Sequence, residues 1–228
     1  LLEIYGEELP SSAQILGEKQ LYEFFLELFA KQKISYSSIE TFSTSRRISI
    51  VVKKISRNEK DSLIEIRGPS TEADDRALVG FLKSNDINDV KKLIKKKIKD
   101  KEYYFHLKKI RHKKLRDIFN LEIPLILSSI KWKKSMRWGE FDLNWGRPLK
   151  SILSIFDRKV VNFKFHHIFS SNSTYIDKDF EEKKRIFKDF KSYERYFKKQ
   201  GSLVDQDKRK ELIKREFSKI LTKRKLII

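Results

Sequence analysis

Cysteine is absent from the 228 residues, which excludes disulfides, thiolate-metal sites and cysteine nucleophiles. That composition fits an intracellular, cytoplasmic protein. Glycine is scarce, with 7 in the chain, and none of the phosphate-cradling or nucleophile-elbow patterns G-x-x-x-x-G-K-[ST], G-x-G-x-x-G or G-x-S-x-G occurs. No apolar run approaches the roughly 18–20 residues of a membrane-spanning helix, so no membrane association is expected. A signal peptide opens with Lys or Arg before an apolar stretch, whereas Leu1 to Pro10 carries Glu3, Glu7 and Glu8. The single Met is internal, at position 136, and the lack of an initiator suggests a clipped or partial chain.

Acids are the other shortage. Lys and Arg number 52 against 32 Asp and Glu, a formal net charge of +20 with a pI near 9.9. Such a balance points first to an anionic partner, most commonly nucleic acid. Drift toward A/T-rich codons enriches Lys, Ile, Phe and Asn as well, so charge alone names no partner. Hydrophobic residues make up 39% and charged residues 37%, against about 45–50% (counting Gly) and about 25% in ordinary domains. With 17 Phe as core material, the chain reads as folded beneath an unusually charged surface. Its length suits one or two domains that bury roughly 70% of the unfolded surface.

Local patterns alternate between strand and helix. Leu1 to Tyr5 reads as a strand, Gly6 to Pro10 as a turn, and Ser11 as a helix cap with Gln14 at capping-box spacing. Leu21, Phe24, Phe25, Leu28 and Phe29 then recur at helical spacing. Ile39 to Phe42, Arg46 to Ile55 and Leu63 to Arg67 read as strands, the last stopped by Gly68-Pro69. A helical pattern from Thr71 through Phe81 continues in a stretch that sets Val90, Leu93, Ile94 and Ile98 on one face. Its seven lysines between Lys91 and Lys101 suit a solvated face or an RNA-phosphate contact. Tyr103 to Leu107 alternates as a strand, and a helix around Leu115 to Phe119 should kink or end at Pro124.

Residues 131 to 148 hold three Trp without periodicity and read as an ordered loop region. Leu149 to Phe156 and Val160 to His166 form a plausible hairpin around Asp157-Arg158-Lys159, and the pattern after Phe180 is helical. The expected class is α+β, a mixed or antiparallel sheet with packed helices and a helical C-terminal tail. Residues 1–180 form the main α+β region, with room for a subdomain break near 70–110, and 181–228 a helical segment.

No catalytic constellation is visible. His106, His112, His166 and His167 lack metal-ligand spacing with carboxylates, and the adjacent pair points to opposite faces if it lies on a strand. Glu7 and Glu8 suit capping and solvent better than a general-acid pair. Cations interleaved with large aromatics are different. Arg46 and Arg47 stand at the mouth of a strand, and Lys131, Lys133, Lys134 and Arg137 alternate with Trp132 and Trp138. Cations meet phosphates while aromatic faces stack on unpaired bases, each stack contributing roughly 1–3 kcal/mol. The other reading makes Trp132, Trp138 and Trp145 core anchors, with Arg137 or Arg147 paired to a carboxylate.

Taken in order, several segments resemble the amino-terminal region of the β subunit of bacterial two-subunit glycyl-tRNA synthetases. Leu2-Glu3-Ile4-Tyr5-Gly6-Glu7-Glu8-Leu9-Pro10 is similar to L-x-E-I-G-T-E-E-L-P, with Tyr5 and Gly6 where the family has Gly-Thr. Thr44-Ser45-Arg46-Arg47-Ile48 resembles T-P-R-R-L, with Ser45 for Pro, and Arg67-Gly68-Pro69 resembles R-G-P. Ala77 to Phe81 falls at the A-x-x-G-[FW] helix. Lys134-Ser135-Met136-Arg137-Trp138-Gly139 resembles K-x-M-R-W-G, with Trp145-Gly146-Arg147-Pro148 at F-x-R-P. Where the family carries G-H-R-F, Asp177-Lys178-Asp179-Phe180 keeps only the Phe.

The resemblance implies a subunit of an assembly that joins glycine to its tRNA. It implies that ATP with magnesium is used by a separate catalytic α subunit, and that this chain itself holds no cofactor, catalytic residue or metal. The implied partners are the α subunit and tRNA-Gly, in an α2β2 heterotetramer. Candidate RNA or subunit contacts, on the matching motif positions, are Arg46, Arg47, Lys134, Arg137, Trp138 and Arg147. The family continues past this length into a helical phosphohydrolase-like region and an anticodon-binding domain. A stand-alone RNA-binding or assembly remnant, without a role in aminoacylation, is the alternative.

Overall fold

The computed structural model describes residues 1–57, 62–110, 113–178 and 181–224. His112, Asp179 and Phe180 lie outside them. The chain divides into two compact units, one built from Leu1–Arg57 and Leu115–Ile228, the other from Asn58–Lys114.

In the first unit, strand β1 (Leu2–Gly6) leads into helix α1 (Ser11–Gln32). The helical spacing of Leu21, Phe25, Leu28 and Phe29 puts all four in the core. Fully burying a side chain of this size contributes about 1.5–3 kcal/mol. The start of α1 differs from the capping box expected at Ser11. Pro10 occupies the cap position with no side-chain hydrogen bond, and Gln14 Nε2 donates to the Leu9 carbonyl. Gln14 therefore supplies a donor where a capping box supplies an acceptor. Lys33, in the left-handed region at φ 52°, ends the helix. Strands β2 (Ile34–Ser35), β3 (Ser38–Thr44), β4 (Arg47–Lys53) and β5 (Ser56–Arg57) follow. β3 pairs with β4 and β2 with β5, both antiparallel.

The second unit is a three-stranded antiparallel sheet with one helix. Its strands are β6 (Ser62–Ser70), β7 (Leu93–Ile98) and β8 (Lys101–Ile110), in the order β6-β8-β7, and α2 (Asp75–Ser84) follows β6. Two of its segments depart from the pattern their sequence suggests. β6 continues through Gly68-Pro69 with a register shift between Arg67 and Ser70, which an edge strand tolerates because one side of it needs no donor. The lysine-rich stretch is a 3-10 turn (Val90–Lys92) and then β7, with no helix between them. Pairing with the aromatic strand β8 decides this, since Lys95 lies over the Tyr104 ring and Lys96 over Phe105.

Back in the first unit, α3 (Leu115–Ser129) runs through Pro124 without ending. Ile118, Phe119, Ile123, Ile126 and Leu127 are buried on both sides of the proline. Their packing outweighs the loss of about 3 kcal/mol that an interior proline brings. The supposed loop region contains a small antiparallel pair, β9 (Met136–Arg137) with β10 (Asn144–Trp145). Next come β11 (Leu149–Phe156), β12 (Lys159–Val160), β13 (Lys164–Phe165) and β14 (Ile168–Ser171). The expected hairpin turns at Asp157 and Arg158, both at positive φ, but its second arm pairs only at Lys159 and Val160. Beyond that, β13 turns back through His166, also at positive φ, to pair with β14.

Last come the hairpin β15 (Ser173–Lys178) and β16 (Glu181–Ile186), then α4 (Phe190–Lys199) and α5 (Gln206–Arg224). A strand thus precedes the helices of the C-terminal segment. Six paired residues with β15 hold Glu181–Ile186 extended, although its run of charged residues suits a helix equally well.

The main sheet runs β13-β14-β11-β1-β4-β3, with β12 beside β11. The β11 to β14 pairing is parallel and the others are antiparallel, so the sheet is mixed and the fold is α+β. Its two faces carry separate cores. Leu2, Ile4, Ile48, Ile50 and Ile152 meet α1 and α3 on one side. On the other, Phe42, Val51, Leu153 and Ile155 meet Phe187, Tyr193, Phe197 and Val204.

The second face also buries charge. Glu3 is fully buried on β1, and Arg47, 5% exposed on β4, places its Nε 3.2 Å from Glu3 Oε2. Tyr193 of α4 donates its hydroxyl to the same carboxylate oxygen. Arg47 donates to the Tyr175 carbonyl of β15 and lies 4.5 Å from the Tyr5 ring centroid and 4.9 Å from that of Phe197. Burial, and then the charge of Glu3, hold the Tyr193 phenol well above its ordinary pKa. It therefore stays a neutral donor. The Glu3→Gln protein, in which Arg47 loses this counter-ion, is expected to lose about 3–5 kcal/mol of stability. Tyr193→Phe is expected to lose about 1–3 kcal/mol. Urea unfolding of the full chain measures both, and an unchanged midpoint for Glu3→Gln would remove the ion pair from the account of stability.

Candidate functional site

The segment Gly6 to Pro10 joins β1 to α1 and runs between two cation-bearing loops. Gly6 N donates to the Arg46 carbonyl, Leu9 N to that of Ser45 and Glu7 N to that of Pro148. The approach is close enough to require glycine, since a Cβ at Gly6 would stand 2.4 Å from the Pro148 oxygen. These bonds place the start of α1 beside Arg147. Pro10, Ser12, Ala13 and Leu16 of that helix start, with Lys133, Lys134, Gly146 and Arg147, line a cleft of about 320 Å³.

Three cations therefore face a helix start that has no side-chain cap and no acid in its first turn. The backbone dipoles of a helix give its N-terminus a partial positive charge, which adds to that of the side chains. Chemically the cleft suits an anion. Behind Gly146, one of its lining residues, stands an aromatic pair. A Cβ at Gly146 would meet the Trp132 ring at 2.9 Å, and Trp132 packs edge-on against buried Trp145 at a centroid distance of 5.2 Å.

The six expected positions separate into distinct settings. Lys134 and Arg147 meet in the cleft. Arg137 sits on β9 with its Nη2 3.7 Å from Asp142 Oδ1, and Arg147 Nη1 reaches Met136 Sδ of the same strand at 3.8 Å. Trp138 packs against the α1 and α3 core and lies edge-on to His167 at 6.0 Å. Arg46, half-buried in the turn between β3 and β4, has its Nε 3.5 Å from Glu8 Oε1. Arg47 belongs to the interior. Strand alternation sends the second of two adjacent arginines to the opposite face, where Glu3 holds it.

Lys133 and the helix start complete the cleft. The visible signal for the helix start was the acid-free run Ser11-Ser12-Ala13-Gln14. Glu7 and Glu8 are ion-paired with Lys150, at 2.9 Å, and with Arg46. Among the described residues, no group of three or more His, Asp or Glu is placed to hold a metal ion. No helix among them is long and apolar enough to cross a membrane.

His167 stacks on Phe141 at a centroid distance of 3.6 Å and an interplanar angle of 8°. Burial first, then the charges of His166 and Lys164, depress its pKa below the ordinary 6.5. The folded state disfavours the imidazolium, so this contribution to stability is fully present above that ordinary value. It is lost as pH falls below it toward the depressed folded value. Between about pH 8 and pH 5, the wild-type chain is expected to lose more stability than His167→Phe, measured as urea midpoints. Parallel pH profiles would show that His167 does not carry the effect.

A family model described as "Glycyl-tRNA synthetase beta subunit" matches residues 1–228. Relatives include the glycine--tRNA ligase beta subunit of Rickettsia bellii (strain OSU 85-389), 32% identical over 214 residues, which are 94% of this chain and 32% of that protein. The beta subunit of Rickettsia conorii (strain ATCC VR-613 / Malish 7) is 30% identical over 228 residues, 100% of this chain and 34% of the relative. That of Rickettsia akari (strain Hartford) is 31% identical over 214 residues. The chain spans about a third of the length of these relatives. With the family model covering the whole of it, the chain belongs to the glycyl-tRNA synthetase beta subunit family.

Proposed function

We propose that this chain works as part of the β subunit of a cytoplasmic glycine--tRNA ligase, binding tRNA-Gly and contacting the α subunit of an α2β2 assembly. Glycine activation with ATP and magnesium then takes place on α, and this chain contributes grip rather than bond-making. The observation that carries the reading is the cleft in which Lys133, Lys134 and Arg147 face the acid-free start of α1. Phosphate is the anion that RNA supplies, and exposed cations on a rigid scaffold hold it without being part of the core. Arg137 on β9 and Arg46 beside Glu8 are the further cationic positions; Trp138, next to Arg137 in the chain, packs against the core. Arg47 serves only by holding β4 to β1 and α4.

The test is binding of tRNA-Gly by the full chain over a range of salt concentrations. Lys134→Gln with Arg147→Gln is expected to weaken binding and to lower the log–log salt slope by roughly 0.9 for each RNA phosphate that is no longer neutralised. Normal folding with unchanged affinity would make these residues structural. Glycine attachment by an α subunit, with and without this chain, tests the assembly. No stimulation of charging would leave an RNA-binding module without a role in aminoacylation.

A further inference from the structure

The second unit carries its charge unevenly. Residues 62–90 sum to a net −3, whereas residues 91–110 hold nine Lys against Asp100 and Glu102, a net +7. Codon drift spreads lysine over a surface and does not sort it by element. Seven of these nine lysines fall on one structure, the β7–β8 ribbon, whose tip is Lys99-Asp100 with Lys99 at φ 54°.

Register places them. Lys95 is opposite Tyr104 and Lys97 opposite Glu102, so with Lys108 they project from one face. Lys96 is opposite Tyr103 and shares the other face with Lys101. Same-face neighbours in a strand stand about 7 Å apart. All of these lysines and Lys99 are exposed. Lys96 is paired with Glu65, whereas Lys97, Lys99, Lys101 and Lys108 make no ion pair among the described residues. Lysines on an edge strand also discourage edge-to-edge pairing. That purpose accounts for β7 at the edge, but not for Lys101 and Lys108 on β8, the central strand.

We infer that the β7–β8 ribbon is a second RNA-contacting element, which enters a groove of double-helical RNA and meets the phosphates of both bordering backbones. A flat anionic partner needs cations on a single face. Cations on two opposite faces and on the tip match a partner with two negatively charged walls, which is what a duplex groove presents. The inference rests on RNA being a partner, as proposed above.

The full chain would be titrated with an RNA hairpin, with a single-stranded RNA of the same composition and with polyglutamate. One variant carries Lys95→Gln, Lys97→Gln and Lys108→Gln, and another Lys99→Gln and Lys101→Gln. Lys210→Gln with Lys214→Gln on α5, and the same pair with Lys223→Gln added, control for loss of two and of three charges, and circular dichroism confirms the fold. Both ribbon variants are expected to weaken hairpin binding about tenfold or more at low salt and to flatten its salt dependence. The α5 controls are expected to change it far less. Ribbon effects equal to the matching control, confined to one face, or limited to single-stranded RNA or polyglutamate would overturn the inference. Lys134→Gln with Arg147→Gln, measured in parallel, separates the two readings. Weaker binding there and none at the ribbon overturns this inference alone, and unchanged binding at both overturns both.

Discussion

The buried contact between Glu3 and Arg47 is the constraint on which the first unit depends. It joins β1 to β4 across the sheet, and the same two side chains engage Tyr193 of α4 and the Tyr175 carbonyl of β15. Burying two charges costs several kcal/mol per ion before attraction returns it, so the arrangement tolerates little looseness. Aromatic rings of Tyr5 and Phe197 flank the guanidinium. The polar cluster thereby selects one docking of α4 on a face whose apolar residues, Phe42, Val51, Leu153 and Ile155, could pack in several ways.

That order reaches the surface through β1. The strand is buried along its whole length and ends at Gly6, where the chain crosses to the cation-bearing loops. The cleft is thus an outgrowth of the sheet. Its cations stand on backbone fixed by strand pairing on one side and by the tryptophan packing of Trp132 on Trp145 on the other. A site of this kind binds by position, since exposed lysine and arginine side chains bring charge but little rigidity of their own.

Much of this was legible in the residues, and the failures have physical causes. Helix α1 was plain because Leu21, Phe25, Leu28 and Phe29 repeat at the helical period over a long segment. The strand Arg47–Lys53 was plain from its alternation, yet nothing local told the fate of Arg47, because its counter-ion Glu3 lies far back in the chain on a different strand, β1. β7 reads as helix in the sequence because lysine runs suit either state, and the deciding contacts, those with Tyr104 and Phe105, come from the next strand. α3 outlasted Pro124 because burial on both sides of it is invisible to a local rule. Of the candidate site, the cations were legible as types. Their meeting with the helix start was not, because it depends on the Gly6 to Pro148 crossing.

The crossing has a consequence for how such a protein diverges. The three bonds that suture Gly6, Glu7 and Leu9 to Arg46, Pro148 and Ser45 are all main-chain to main-chain. They are indifferent to side-chain identity except at Gly6, so substitution can sweep through the neighbourhood while the gauge between the two loops stays the same. A lineage can recolour its surface and keep its calipers.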